Sequence, residues 1–154
     1  METVYLETSF ISYLVGNPSQ DELNAQRQDL SRRWWHFRRS EFNCVVSTMV
    51  WQEIAEGDQN EAEKRKSAIA PYQILHATPA ILQLADAIVA RGLLPTKAQA
   101  DAIHIAIGAV YSVDYIVSWN FKHLVNASIQ SRIRLLIESM GLRMPIVCTP
   151  EALM

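Results

Sequence analysis

Short β-branched runs alternate along the chain with longer segments of helical periodicity. The apolar runs predict four strands and a weaker fifth, namely Thr3–Leu6, Cys44–Ser47, Tyr115–Ser118, Ile146–Cys148 and, as the weakest, Gln73–Leu75. The intervening patterns predict helices near Ser9–Leu14, Glu22–Arg39, Met49–Glu56, Asn60–Ile69, Pro79–Arg91, Lys97–Tyr111 and Ser128–Met140. This alternation predicts an α/β fold in which helices cover both faces of a central parallel sheet of four or five strands.

Several helix boundaries carry residues that stabilise helix ends. Thr78 stands before a proline and predicts an N-cap, and Thr96 with Gln99 has the spacing of a capping box. Gly92 and Gly141 each follow a predicted helix, where a left-handed residue commonly ends the helical turn.

Composition adds limits on the class of protein. With 154 residues, 49% of them hydrophobic and 19% charged, we expect one compact domain spanning residues 1–154 rather than a disordered or fibrous chain. The net charge of −2 excludes a broadly basic surface, so nucleic acid would require a local patch or a bound cation. Cys44 and Cys148 lie in β-branched segments typical of buried free thiols. No signal sequence or membrane span is apparent, so we expect a cytoplasmic protein without membrane contact.

The predicted helix from Lys97 is apolar on nearly every face, yet it contains two ionisable groups. Asp101 opens it and His104 follows one turn later. Two structural explanations of Asp101 remain open, a hydrogen bond to neighbouring backbone and an ion pair with Lys97. His104 could bind a metal, but without a cysteine or second histidine nearby the sequence favours a hydrogen-bonded core histidine.

Acidic and amide side chains also follow the predicted strands. Glu7 directly follows the first strand, Glu53 lies in the helix after the second, and Asn120 follows the third strong strand. Ligands of open α/β sheets bind at the carboxyl ends of the strands, so these side chains and Asp101 could converge there.

Convergence of several carboxylates would require a compensating cation. Two carboxylates ~4 Å apart repel by about 4 kcal/mol at an effective dielectric constant of 20. A divalent cation removes that penalty, and oxygen ligands without a thiolate favour Mg²⁺ or Mn²⁺.

Neighbouring residues leave two local questions open. The hydroxyl of Thr8 or of Ser9 could cap the next helix, which is their simplest interpretation. Glu56 lies one turn from Glu53, and periodicity alone does not decide which of the two points inward.

Four segments together are similar to the PIN-domain nucleases, especially the toxins of bacterial type II toxin–antitoxin pairs; they read VYLETSFISYL, STMVWQEI, KAQADAIHIA and DYIVSWNFKHLVN. The resemblance runs nearly end to end. It implies a three-layer α/β/α fold that cuts single-stranded RNA with Mg²⁺ or Mn²⁺ held by acidic residues. It further implies an antitoxin partner and allows a homodimer.

The resemblance also assigns roles residue by residue. It implies catalytic roles for Glu7, Glu53, Asp101 and Asn120, with Glu7 and Asp101 as metal ligands. Beside these, Thr8, Ser9 and His104 are candidate supporting residues. The family commonly has Asp where this chain has Glu7, and often a further acid where it has Asn120. These departures keep a second hypothesis open, a catalytically weakened PIN-like module that binds RNA or protein. A phosphatase with a strand-end nucleophile is disfavoured, because that chemistry requires Asp at the position of Glu7.

The segment Arg27–Ser40 holds five arginines among aromatic residues. This pattern is typical either of a surface that binds RNA or a protein partner, or of an ordinary solvated helix face. Trp34 and Trp35 are adjacent, so on a helix they point about 100° apart and only one is expected to be deeply buried.

Overall fold

A computed structural model describes residues 1–154, and its centre is one parallel sheet. The strands are β1 (Thr3–Leu6), β2 (Asn43–Ser47), β3 (Gln73–Leu75), β4 (Tyr115–Val117) and β5 (Ile146–Cys148). They lie in the order β3-β2-β1-β4-β5, and every neighbouring pair is parallel. The predicted α/β class with a parallel sheet of four or five strands is confirmed.

Seven α-helices connect these strands: α1 (Thr8–Val15), α2 (Glu22–Phe37), α3 (Thr48–Ile54), α4 (Gln59–Ile69), α5 (Pro79–Ala90), α6 (Gln99–Val110) and α7 (Ala127–Ser139). Short 3₁₀ turns occur at Arg39–Glu41, Thr96–Ala98 and Pro150–Leu153. Parallel connections are right-handed, so a strand order that grows in both directions from β1 places helices on both faces. None of the helices combines the length and apolar character that crossing a bilayer requires.

The order of the strands creates a switch point between β1 and β4. The chain runs outward from β1 through β2 to β3, then returns to β4 on the other side of β1. Tyr5 of β1 pairs with Val45 of β2 and with Ile116 of β4, so the carboxyl ends of all three strands lie side by side. Such switch points form crevices in which α/β proteins bind ligands.

Helix α6 is the most deeply buried helix, as its apolar sequence predicts. Every residue from Ala102 to Ala109 is buried. A Cβ atom built on Gly108 would lie 2.9 Å from the side chain of Ile116, so the glycine permits α6 to pack closely on β4. This close packing fixes the start of α6, including Asp101, relative to the strand ends.

The predicted residues at the helix ends are confirmed in part. The hydroxyl of Thr78 accepts a hydrogen bond from the Ile81 amide at 3.3 Å, and Gly92 and Gly141 have φ of +70° and +75°. The capping box predicted at Thr96 is wrong, because that residue lies in a 3₁₀ turn and α6 begins at Gln99 without a side-chain cap.

Both cysteines are free and buried, as the sequence predicts. Burial raises the pKa of each thiol to about 11; for Cys44 the charge of Arg39 opposes this rise. The thiols are therefore protonated and unreactive at neutral pH.

Candidate metal centre

Four predicted residues reach the same end of the sheet from four elements. Glu7 follows β1, Glu53 lies in α3 after β2, Asp101 lies at the start of α6, and Asn120 follows β4. All four therefore lie around the carboxyl ends of β1, β2 and β4, at the switch point of the sheet.

Glu7 is buried and its carboxylate is held by three hydrogen bonds. Its Oε2 accepts from the Ser9 amide at 2.9 Å, while Oε1 accepts from the hydroxyls of Ser9 and Ser118, each at 2.5 Å. Glu7 itself is thus the N-cap of α1. The expectation that Thr8 or Ser9 would cap this helix is wrong, because the longer glutamate side chain folds back onto the amide of Ser9.

Glu53 is the acid of α3 that points inward. Its Oε1 accepts hydrogen bonds from Thr8 Oγ1 and from His104 Nε2, both at 2.6 Å. Its Oε2 accepts no hydrogen bond from the protein. Glu56, by contrast, is exposed, and only its backbone makes hydrogen bonds: its carbonyl accepts from Arg65 and its amide donates to the carbonyl of Glu53.

His104 is completely buried and connects Glu53 to the interior of the sheet. Its Nδ1 lies 2.6 Å from the Tyr5 hydroxyl, which in turn lies 2.7 Å from Ser47 Oγ. With Glu53 ionised, Nε2 carries the hydrogen that is donated to the carboxylate, so the ring orientation of His104 is determined. The hydrogen-bonded core histidine favoured by the sequence is confirmed.

The pKa values of the Glu53 and His104 pair move apart. Burial alone would raise the pKa of Glu53, but hydrogen bonds from His104 and Thr8 and the charge of His104 lower it. Burial would lower the pKa of His104, yet the hydrogen bond to Glu53 and the charges of Glu7, Glu53 and Asp101 raise it. The geometry therefore favours an ionised Glu53 with a histidine that donates to it.

Asp101 is held by Asn120 and by a second histidine, His123. Its Oδ1 accepts from Asn120 Nδ2 and its Oδ2 lies near His123 Nδ1, both at 3.2 Å. No ion pair with Lys97 forms, so that explanation of Asp101 is excluded. Burial raises the pKa of Asp101, and the charges of Glu7 and Glu53 add to this rise while those of His104 and His123 oppose it.

His123 is the site residue that the sequence analysis did not identify. It follows Asn120 by three residues, and its amide donates to Asn120 Oδ1 at 3.1 Å. This bond closes a turn that folds the imidazole back towards Asp101. The available signal was the Asn-Phe-Lys-His spacing directly after a strand, since asparagine side chains commonly accept from a nearby backbone amide.

A compact set of donor atoms results, and its chemistry fits a divalent cation. One ligand atom each from Glu7, Glu53 and His104 lies within 4.8 Å of the others. No lysine or arginine lies within 4.0 Å of Glu7, Glu53 or Asp101. The protein therefore brings anionic oxygens together with histidines as neighbours but without a lysine or arginine to balance their charge.

The basic segment in and after α2 is largely occupied by contacts within the protein. Arg32 donates to the carbonyl oxygens of Leu14 and Gly16 at the end of α1, at 3.1 and 2.9 Å. Most of its other arginines are paired too, and the contacts are Arg33 with Asp29, Arg38 with Glu41 and Arg39 over the ring of Trp35. Trp34 is fully buried and Trp35 is partly buried, as their adjacency predicts.

Comparisons with known proteins identify the class of fold. Neither protein-family models nor curated proteins match the sequence. Among solved structures, Mycobacterium tuberculosis VapC20, a toxin that cleaves the sarcin-ricin loop, aligns with a TM-score of 0.59 and 14% identity, covering 90% of this chain and 95% of the toxin. VapBC2 from Rickettsia felis, solved bound to a DNA fragment from its promoter, aligns with a TM-score of 0.57 and 10% identity, covering 94% of this chain and 96% of that chain. The chain thus has the three-layer PIN-like fold of these VapC proteins.

Proposed function

We propose that this protein is a Mg²⁺- or Mn²⁺-dependent endoribonuclease that cuts single-stranded RNA and serves as the toxin of a type II toxin–antitoxin pair. One observation carries the proposal: donor atoms of Glu7, Glu53 and His104 converge within 4.8 Å at the switch point of the sheet, without a balancing lysine or arginine. The fold shared with a toxin that cleaves the sarcin-ricin loop supports the same activity.

Two members of this cluster, Glu7 and Glu53, would hold the cation together with Asp101, which lies outside the cluster but at the same strand ends. The Oε2 atom of Glu53 accepts no hydrogen bond and is free to coordinate. A divalent cation bound there would neutralise the site, attract a phosphodiester and lower the pKa of a coordinated water. His104 serves as a positioning residue in this arrangement, because its Nε2 is already engaged by Glu53 at 2.6 Å.

The remaining residues orient these ligands. Ser9 and Ser118 fix Glu7, Thr8 fixes Glu53, and Asn120 fixes Asp101. An amide at position 120 donates to Asp101 where a carboxylate would repel it. The asparagine that departs from the family pattern therefore has a structural reason that is compatible with activity.

The alternative function, a PIN-like module that binds RNA or protein without efficient cleavage, is supported by one observation. Oε1 of Glu7 already accepts hydrogen bonds from two hydroxyls and Oε2 accepts from an amide. A carboxylate engaged in this way coordinates a cation less readily, and an inactive but RNA-binding protein would be the result.

The proposed biology includes a protein partner. An antitoxin that covers the site is the partner we propose, supported by the shared fold with VapBC2. A homodimer and a cytoplasmic location complete the proposal.

Cleavage of a labelled single-stranded RNA mixture tests the activity directly. We expect cleavage with Mg²⁺ or Mn²⁺, none in EDTA, and none by Asp101→Asn or Glu53→Gln. Asp114→Asn, at the opposite edge of the sheet, is the matched control and should cleave like the wild type. Cleavage without metal would contradict the proposal, and so would wild-type cleavage by the Glu53 and Asp101 variants.

A further inference from the structure

An arginine beside the site is surrounded by aromatic rings. The Arg27 guanidinium carbon lies 5.1 Å from the centre of the Phe121 ring, 5.7 Å from that of Trp119 and 5.9 Å from that of Tyr13. We call Arg27, Tyr13, Trp119 and Phe121 the aromatic platform. Contacts of this kind hold a guanidinium in place through its attraction to the ring faces.

Arg27 has no acidic partner, in contrast to Arg33 and Arg38, which pair with Asp29 and Glu41. Its Nη1 donates to the hydroxyl of Tyr13 at 3.3 Å, and no carboxylate lies within 4.0 Å of it. Its charge is therefore held in a defined position and is not neutralised by the protein. An anionic ligand is the partner that such a charge is suited to bind.

The platform is rigidly connected to the candidate metal centre. The Trp119 amide donates to Ser9 Oγ at 2.8 Å, and the same hydroxyl donates to Glu7. On its other side, Trp119 Nε1 donates to Ser31 Oγ at 2.8 Å, which connects the indole to α2. Phe121 follows Asn120 directly in the chain, so the exposed ring lies one residue from a group that contacts Asp101.

Phe121 is the most exposed ring of the platform, and Tyr13 is partly buried. Phe121 is 46% exposed, whereas Trp119 is 5% exposed. A large apolar ring held in the solvent beside polar catalytic groups has a hydration cost that a stacked planar ligand would remove.

We propose that the aromatic platform is a nucleotide subsite of the RNA-binding surface, in which an unpaired base adjacent to the cleaved phosphodiester stacks on Phe121 and Arg27 contacts the neighbouring phosphate. Stacking on an aromatic face together with an arginine is how proteins bind single-stranded nucleic acid. The inference rests on the proposed ribonuclease function for the identity of the ligand. Of the five arginines in the segment Arg27–Ser40, it assigns RNA contact to Arg27 alone.

Binding without cleavage separates this inference from the proposed activity. A fluorescently labelled single-stranded oligoribonucleotide is titrated in EDTA, so that affinity is measured by anisotropy whether or not the protein is a nuclease. We expect Phe121→Ala to weaken the Kd about tenfold, within the range of one lost stacking contact, and Phe121→Trp to retain wild-type affinity. The ring is half exposed, so Phe121→Ala should fold normally, which circular dichroism checks.

The charge of Arg27 gives a second, independent measurement. Arg27→Gln should weaken binding and reduce the slope of log K against log salt by about 0.7, the value for one phosphate on a single strand. Arg27→Lys should keep that slope. Phe37→Ala is the control for an exposed ring, because Phe37 is 69% exposed and lies before β2, at the other end of the strands. Arg33→Gln is the control for the loss of a charge. Both controls should bind like the wild type.

Abasic substitutions locate the base. RNAs that lack one base at successive positions should include one that binds the wild type more weakly yet binds Phe121→Ala no worse than intact RNA. The subsite is overturned if Phe121→Ala binds RNA like the wild type, or if every abasic RNA weakens both proteins equally. Unchanged RNA affinity with loss of a protein partner would also overturn it and identify a protein interface.

Discussion

The sheet carries acids at both ends of its strands, which we call the amino edge and the carboxyl edge. The partners of these acids differ between the two ends. At the amino edge, Asp114 precedes β4, accepts from the Thr3 amide at 2.8 Å and pairs with Arg143 at 3.1 Å. At the carboxyl edge, Glu7, Glu53 and Asp101 have hydroxyls, amides and two histidines as partners, and no lysine or arginine.

The pKa values of the two aspartates follow this difference. The Thr3 amide and Arg143 lower the pKa of Asp114 despite some desolvation. Burial and the charges of Glu7 and Glu53 raise that of Asp101, although His104 and His123 oppose this. An acid at the amino edge therefore stabilises the fold, whereas the acids at the carboxyl edge have no lysine or arginine partner, which is the arrangement that the proposed cation site requires.

The largest expected effect is on cleavage. Asp101→Asn and Glu53→Gln keep side-chain size while removing a metal-binding charge, so each should lower kcat about 100-fold or more in saturating metal, as judged from single-turnover RNA cleavage. Asp114→Asn should leave kcat unchanged. A comparable loss in the Asp114 variant would show that charge at either edge matters equally, and the comparison would fail.

Glu7 sharpens the comparison within the carboxyl edge. We expect Glu7→Gln to be inactive, and Glu7→Asp to remain active or to change its preference between Mg²⁺ and Mn²⁺, because Mg²⁺ tolerates a distorted octahedron poorly. Cleavage rates across a titration of each metal measure this. Full activity of Glu7→Gln would reduce this residue to the N-cap of α1.

Replacing one tyrosine near each edge tests how much its hydrogen bonds contribute to the free energy of unfolding. Tyr5→Phe removes the hydroxyl that bridges Ser47 and His104 and leaves buried polar atoms unpaired, so the free energy of unfolding should fall by about 1–3 kcal/mol. Tyr115→Phe removes only an exposed hydrogen bond to Glu2 and should leave the urea midpoint unchanged. Equal midpoints for both variants would contradict a structural role for the buried hydrogen bonds of Tyr5 with Ser47 and His104.

The smallest effects are opposite changes of Tm without metal. Asp101 has a raised pKa, so its charge costs stability above its ordinary value of 3.8, and Asp101→Asn should raise Tm at pH 7. Asp114 has a lowered pKa, so its charge contributes stability above 3.8 that is lost as pH falls, and Asp114→Asn should lower Tm at pH 7. The Asp101 difference should disappear as pH falls to 3.8, whereas the Asp114 difference should shrink only below pH 3.8. Shifts of the same sign would break the comparison.

The sequence predicted the fold well because its main signals are local runs of apolar residues and their alternation with helical patterns. Continuous apolar runs such as Val4–Leu6 identify buried parallel strands, and the nearly uniform apolar character of α6 predicts its depth. The Thr96 capping box failed because a local pattern does not show whether a 3₁₀ turn precedes the helix. Because Glu7 and Asn120 each follow a predicted strand, the sequence also predicted that they lie at the same edge, although it showed no contact between them.

The interior of the site was less predictable, because its partners are distant in sequence. The hydrogen bond between Glu53 and His104 joins residues 51 positions apart, and that between Tyr5 and His104 joins residues 99 apart. Neither element alone carries a pattern for such a contact. His123 lay outside the prediction for a different reason, since its role depends on a turn closed by Asn120 Oδ1.

Binding of Mn²⁺ is the most direct test of the central claim that the carboxyl edge holds a divalent cation. Electron paramagnetic resonance measures free Mn²⁺ during titration with protein and requires no RNA substrate. We predict saturable binding by the wild type and by Asp114→Asn, and a loss of affinity of at least tenfold in Glu53→Gln and Asp101→Asn. Equal affinity in all four proteins, or no binding by the wild type, would contradict the account.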